Sequence, residues 1–125
     1  MHENEISYAI RGAAFKVHSA LGPGLLEYVY ETALTYELRK EGFDVLTQLG
    51  IPVVYKDIEM EQGFRMDLLV NAKVIVEIKS VENLLDIHHK QLLTYLKLSN
   101  KRLGLLINFN TVRLKDSIVR IVNSL

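Results

Sequence analysis

The 125-residue chain contains no cysteine, so disulfide bridges and thiolate-ligated zinc are excluded. It also lacks any apolar run near the roughly 18 residues that a membrane-crossing helix needs. The longest such pieces are of the size of LGLLINF at 103–109. Net charge is missing as well, because 15 Lys and Arg balance 15 Asp and Glu. Overall charge therefore gives no argument for a nucleic-acid partner. There is no internal repeat, no low-complexity tract and no Pro/Gly/Ser-rich linker. The opening MHENEISYAI carries acids where a secretory leader carries cations, so no leader is expected. A cytoplasmic location, with no membrane contact, is the default expectation.

What is present is ordinary for a globular protein: 49% hydrophobic and 24% charged residues. A chain of this length buries roughly two-thirds of its unfolded surface, enough for one core, and a single domain over 1–125 is expected. The charges are segregated. Residues 1–62 hold 5 Lys/Arg against 10 Asp/Glu, and residues 63–125 hold 10 against 5. The basic half offers a phosphate-contacting surface if folding keeps it together.

Apolar positions Ile6, Ile10, Ala13, Ala14, Val17 and Leu21 recur at helical spacing, predicting a helix over 6–21. GPG at 22–24 stops it. A second helix is expected over 25–40, ended by Gly42 after a basic last turn. Residues 44–56 read as an extended segment interrupted at Gly50 and Pro52. Strands near 64–70 and 73–79 form a hairpin, a third helix spans 87–98, and 103–109 is a strand buried on both faces. VRL and IVRIV at the end suggest a short edge strand or two. The order α-α-β-β-β-α-β predicts an α/β (α+β) domain on a central mixed sheet flanked by helices.

The hairpin carries the chemistry. Period-two alternation puts Met66, Leu68, Val70, Val74, Val76 and Ile78 on one face, all apolar. The other face carries Arg65, Asp67, Leu69, Ile75, Glu77 and Lys79, with the charges gathered at the open end. A solvated strand face accounts for Glu77 and Lys79 but not for Leu69 and Ile75. A three-residue loop, Asn71-Ala72-Lys73, pairs Asp67 with Glu77. A two-residue loop would turn Asp67 into the apolar face at high cost. Two carboxylates so close repel unless a positive charge lies between them. Lys79 supplies part of that charge. A divalent cation supplies more, and Mg²⁺ suits two carboxylates plus waters and a substrate phosphate.

Three stretches together resemble the GxxExxY family, within the PD-(D/E)XK nuclease-like superfamily. They are GLLEYVY at 24–30, FRMDLLVNAKVIVEIKS at 64–80 and HHKQLLTYLKLSNKRLGLLINFN at 88–110. The resemblance implies a restriction-endonuclease-like core and Mg²⁺-dependent hydrolysis of nucleic acid, with Mn²⁺ as a substitute. It implies Asp67, Glu77 and Glu27 as metal ligands, Lys79 as the residue that positions the attacking water, and Gln91 as a further catalytic residue. Tyr30, His88 and Tyr95 are possible accessories, and Lys90, Lys97, Lys101 and Arg102 are candidate phosphate contacts. Each has a plainer reading: Glu27 suits the positive end of a helix dipole, Tyr30 packing, and His88 a helix start. The adjacent pair His88-His89 is not a zinc site, since neighbouring helix positions diverge. The expected partner is DNA or RNA, and a homodimer is a further possibility. An inactive nucleic-acid or protein-binding module on the same fold is the alternative. A structural ion cluster ranks behind both, because buried charges are seldom kept for stability alone.

Overall fold

The computed structural model describes residues 1–125. Helices α1 (Glu3–Leu21) and α2 (Glu27–Lys40) precede strands β1 (Val45–Tyr55), β2 (Ile58–Val70) and β3 (Val74–Lys79). Helix α3 (Asp86–Ser99), strand β4 (Leu103–Asn108), a 3₁₀ turn over Leu114–Ser117 and strand β5 (Ile118–Val122) complete the chain. The five strands form one sheet in the order β1-β2-β3-β4-β5. Only β3 and β4 run parallel, joined through α3 as a parallel pair requires. This is the α+β architecture expected of a restriction-endonuclease-like core. No helix is long and apolar enough to cross a membrane.

The sheet is covered unequally. Helices α1 and α2 seal one face through Ile6, Ile10, Tyr30 and Leu34, packed on Leu68, Val76, Leu105 and Ile107. Helix α3 alone covers the other, setting Leu92 and Leu96 on Met66, Leu69, Ile75 and Leu106. Every residue of β4 is buried, as its unbroken apolar run predicts. Gly104 admits α3 this closely, because a Cβ there would lie 3.0 Å from the Leu92 side chain.

Two expectations are corrected. Strand β2 begins at Ile58, well before residue 64, and pairs with β1 as a long hairpin through Tyr55↔Ile58. Its first six residues are all exposed, so no burial pattern announces them. The alternation across 66–70 also breaks. Met66 lies in the α3-side cluster with Leu69, whereas Leu68 lies in the α1/α2-side cluster. The break falls at Asp67, where the β1–β2 pairing passes from Thr47↔Leu68 to Leu49↔Met66 and Gln48 adopts φ +49°. The chain shifts parity beside the carboxylate.

The β2–β3 turn is the expected three-residue loop. Val70 pairs with Val74, and Lys73 N–H donates to Val70 C=O at 3.0 Å. Asn71 and Ala72 both take positive φ, +50° and +57°. Asn71 suits this region, and its Oδ1 accepts the Asp44 N–H at 2.8 Å. Ala72 has no such compensation and is exposed. Ala72→Gly removes that strain at the cost of unfolded-state freedom, for a net gain of about 0.5–1 kcal/mol. Urea denaturation should show a higher midpoint with an unchanged slope.

Candidate active site

Bridging between β2 and β3 ends at Leu68↔Val76. One residue further on, side chains replace the ladder. Asp67 N–H donates to Glu77 Oε2 at 2.8 Å, and Ile78 N–H donates to Asp67 Oδ2 at 2.8 Å. Each strand thus uses its carboxylate to satisfy an amide of the other, at the position where Asp67 and Glu77 follow the last bridged pair.

On the other flank Gln48 bridges two elements. Its Nε2 donates to Glu31 Oε1 on α2 and, at 3.4 Å, to Asp67 Oδ1. A cavity of about 230 Å³ opens here, lined by Glu27, Tyr28, Glu31, Gln48, Arg65, Asp67 and Ile78.

The electrostatics are unbalanced. Glu77 is only 6% exposed, and Asp67 is half-buried. Burial, reinforced by the Asp67 charge, pushes the Glu77 carboxyl up to about 8. The Asp67 amide and Lys79 oppose this without cancelling it. Asp67 is raised for the same leading reason, burial, with the Ile78 amide and Lys79 opposing and Glu27 adding to the rise. Burial also raises Glu31, against the Gln48 hydrogen bond. The chain's one ion pair is Arg113–Asp116, so neither Asp67 nor Glu77 has a cation within contact distance. This pair of desolvated acids has no countercharge in contact, and Lys79 offsets it only from a distance. No three Asp, Glu or His side chains form a ready-made cage for an ion. Two carboxylates with open positions fit Mg²⁺, which keeps several waters and takes substrate oxygens.

Glu27 reaches this cavity through a pinned turn. Gly22 and Gly24 take φ +71° and +94° between α1 and α2. Tyr30, fully buried and stacked on Phe109 at 4.6 Å, donates its hydroxyl to Gly22 C=O at 2.7 Å and accepts Leu25 N–H at 3.1 Å. Ser80, directly after Lys79, donates to Leu25 C=O at 2.6 Å. The tyrosine therefore acts by packing, and the turn it holds sets Glu27 beside Asp67. Leu26 offers no cap to α2, so Glu27 also meets the dipole as the plainer reading held.

The remaining candidates divide. Lys79 is half-buried at the end of β3, opposite Asn108, and its charge reaches both carboxylates. Tyr95 stacks on Phe64 at 4.3 Å, and its hydroxyl is raised by burial and then by Glu77 and Asp67. Gln91, one turn before Tyr95, is exposed and bonds to neither carboxylate. His88 Nδ1 accepts Leu85 N–H at 3.0 Å, the helix-start role. Lys90 is exposed in the first half of α3 and Lys97 in its last turn. Lys101 and Arg102 precede Leu103, which pairs with Val74 at the end of β3 opposite Lys79, about 16 Å along the strand. Arg102 moreover donates to Ser124 C=O. These last two stand away from the carboxylates.

Glu31, Gln48 and Arg65 belong to the site without having been singled out. The i,i+4 spacing of Glu27 and Glu31 carried a usable signal. Gln48 carried none, because its place depends on a positive φ that no residue type announces.

Because Glu77 binds its proton more tightly folded than unfolded, its contribution to stability is full below its ordinary value of 4.5. It is lost as pH rises through about 8. The metal-free protein should therefore lose thermal stability between pH 5 and pH 8. Glu77→Gln should flatten that fall, which calorimetric melts across the range would read.

A model of the PD-(D/E)XK nuclease superfamily matches residues 4–121. No curated protein and no solved structure matches the chain. The match runs from α1 into β5 and spans the pinned turn, both facing carboxylates and Lys79. The chain belongs to the PD-(D/E)XK nuclease superfamily.

Proposed function

We propose that the chain is a Mg²⁺-dependent hydrolase of nucleic-acid phosphodiester bonds, with Mn²⁺ able to substitute. The observation that carries this reading is the reciprocal Asp67/Glu77 pair, desolvated, without a cation in contact, and with Asp67 lining a cavity. A buried acid pair without a countercharge is unfavourable by itself and becomes favourable once a cation arrives. Asp67 and Glu77 would hold the ion, with Glu27 or its waters completing the set from α2. When bound, the ion lowers the pKa of a water and stabilises charge on a phosphoryl oxygen.

The other residues have work of their own. Lys79, two positions after Glu77 on the same strand, holds the attacking water and offsets charge on the phosphate. Gln48 and Glu31 fix the Asp67 carboxylate from the far flank. Arg65 lines the cavity and offers a guanidinium to a phosphate of the entering strand. Gln91, exposed on α3, keeps the role that the family resemblance implies, a hydrogen bond to the scissile phosphate or the attacking water. The cytoplasm, where nucleic acid and Mg²⁺ occur together, is the compartment this reading supposes.

Calorimetric titration of Mg²⁺ and Mn²⁺ should show binding to wild type and none to the Asp67→Asn/Glu77→Gln variant. Metal-dependent cleavage of a panel of DNA and RNA should disappear in the same variant. Lys79→Ala should keep metal binding and lower the cleavage rate by about 10²–10³-fold. Cleavage that survives in the double variant would exclude this site, and absence of metal binding in wild type would exclude the hydrolase.

A further inference from the structure

Helix α2 carries more than Glu27 and Glu31. Beyond the catalytic cavity, between α2 and the free edge of the sheet at β1, runs a polar groove of about 590 Å³. Glu31 lines both hollows, so the groove continues from the cavity. Its far end is basic, with Arg39 and Lys40 both exposed. From Glu31 to Lys40 the groove follows about 13.5 Å of helix, the length of three or four stacked nucleotides.

Three observations mark it as a binding track. Thr35 lines the groove at 6% exposure, and its Oγ1 is the one buried side-chain polar atom without a hydrogen-bond partner. A helical threonine ordinarily returns its hydroxyl to a preceding carbonyl, and this one does not. Tyr28 and Tyr36, eight residues apart on one stripe of the helix, are 65% and 64% exposed. Tyr28 stands at the mouth of the catalytic cavity, and Tyr36 at the groove. Lys40 Nζ lies 6.0 Å over the Tyr36 ring, placing a cation beside an open aromatic face. Basic residues in a last helical turn alone would be dipole complementation. Together with the open rings and the unpartnered hydroxyl they reproduce what single strands bind: stacking platforms beside a cationic rail.

We infer that this α2–β1 groove binds single-stranded nucleic acid and leads the strand to the Asp67/Glu77 centre. Bases stack on Tyr28 and Tyr36, Arg39 and Lys40 meet phosphates, and Thr35 donates to a strand oxygen. This rests on the hydrolase reading for its purpose but not for its test. Stacking on Tyr28 and Tyr36 needs bases with a free face, which a duplex does not offer, so unpaired strands are the preferred substrate class.

The test is fluorescence anisotropy with short labelled oligothymidylate and oligouridylate strands, in the presence of a chelator so that no cleavage occurs. Wild type should bind these strands and bind the matching duplexes more weakly. Tyr36→Ala should lower affinity roughly 5- to 150-fold, the loss of one base–aromatic stack, and Tyr36→Phe should restore it. Lys40→Ala should reduce the slope of log affinity against log salt by about 0.7, one phosphate contact. Thr35→Val should weaken binding severalfold while melting no lower than wild type, since it removes only an unpaired hydroxyl. Tyr36 and Lys40 are both exposed, so these variants keep the fold. Equal binding by the variants, preference for duplex, or no strand binding by wild type would overturn the groove. Metal-dependent cleavage that persisted in those cases would leave the hydrolase standing. Strand binding without any cleavage would remove the hydrolase and keep the groove.

Discussion

Because Val70 pairs with Val74, Asp67 falls opposite Glu77, and both carboxylates must share the open end of the same two strands. A slip of one residue in this turn would move Asp67 to the other face and separate the pair. The positive φ values at Asn71 and Ala72 are the local cost of holding that register. At the pair itself the ladder yields, and each carboxylate accepts the opposing strand's amide. The substitution satisfies the backbone and fixes both acids, yet it leaves them together in a half-dry place where both cannot readily ionise. The strain sits where a cation would relieve it.

A second set of contacts brings α2 to that pair. Tyr30 and Ser80 hold the glycine turn from two sides, one from within the helix and one from the end of β3. The segment that carries Lys79 is therefore tied directly to the segment that carries Glu27. The Tyr30 ring on Phe109 links the turn to the chain just after β4, so the core's largest side chains also set the site's geometry. Packing and chemistry share residues here, and the motif Gly24-x-x-Glu27-x-x-Tyr30 reads as a turn, an acid and the clamp that positions it.

The sequence made some of this legible. The helices follow from periodicity, β4 from its unbroken apolar run, and the Asp67/Glu77 pairing from the cost of burying an acid in the wrong register. Other parts left no trace. Residues 58–63 form a strand by pairing with β1 alone, with no buried face to impose alternation. Met66 changes face beside Gln48, whose φ is +49°, and backbone breaks of this kind follow from three-dimensional fit rather than composition. Lys101 and Arg102 follow the third helix in sequence but lie past its far end, because a parallel crossover returns the chain to the start of the next strand. Glu31 and Gln48 become visible only once α2 and β1 are placed side by side.

The central claim is that Asp67 and Glu77 form one desolvated acid pair that requires a countercharge. Its most direct measurement is a carboxyl-resolved NMR titration of Asp67 and Glu77, with and without Mg²⁺. Without the ion, Glu77 should titrate near 8, and with it the titration should move down into or below the ordinary carboxylate range. A Glu77 that titrates near 4.5 in both conditions would contradict the account.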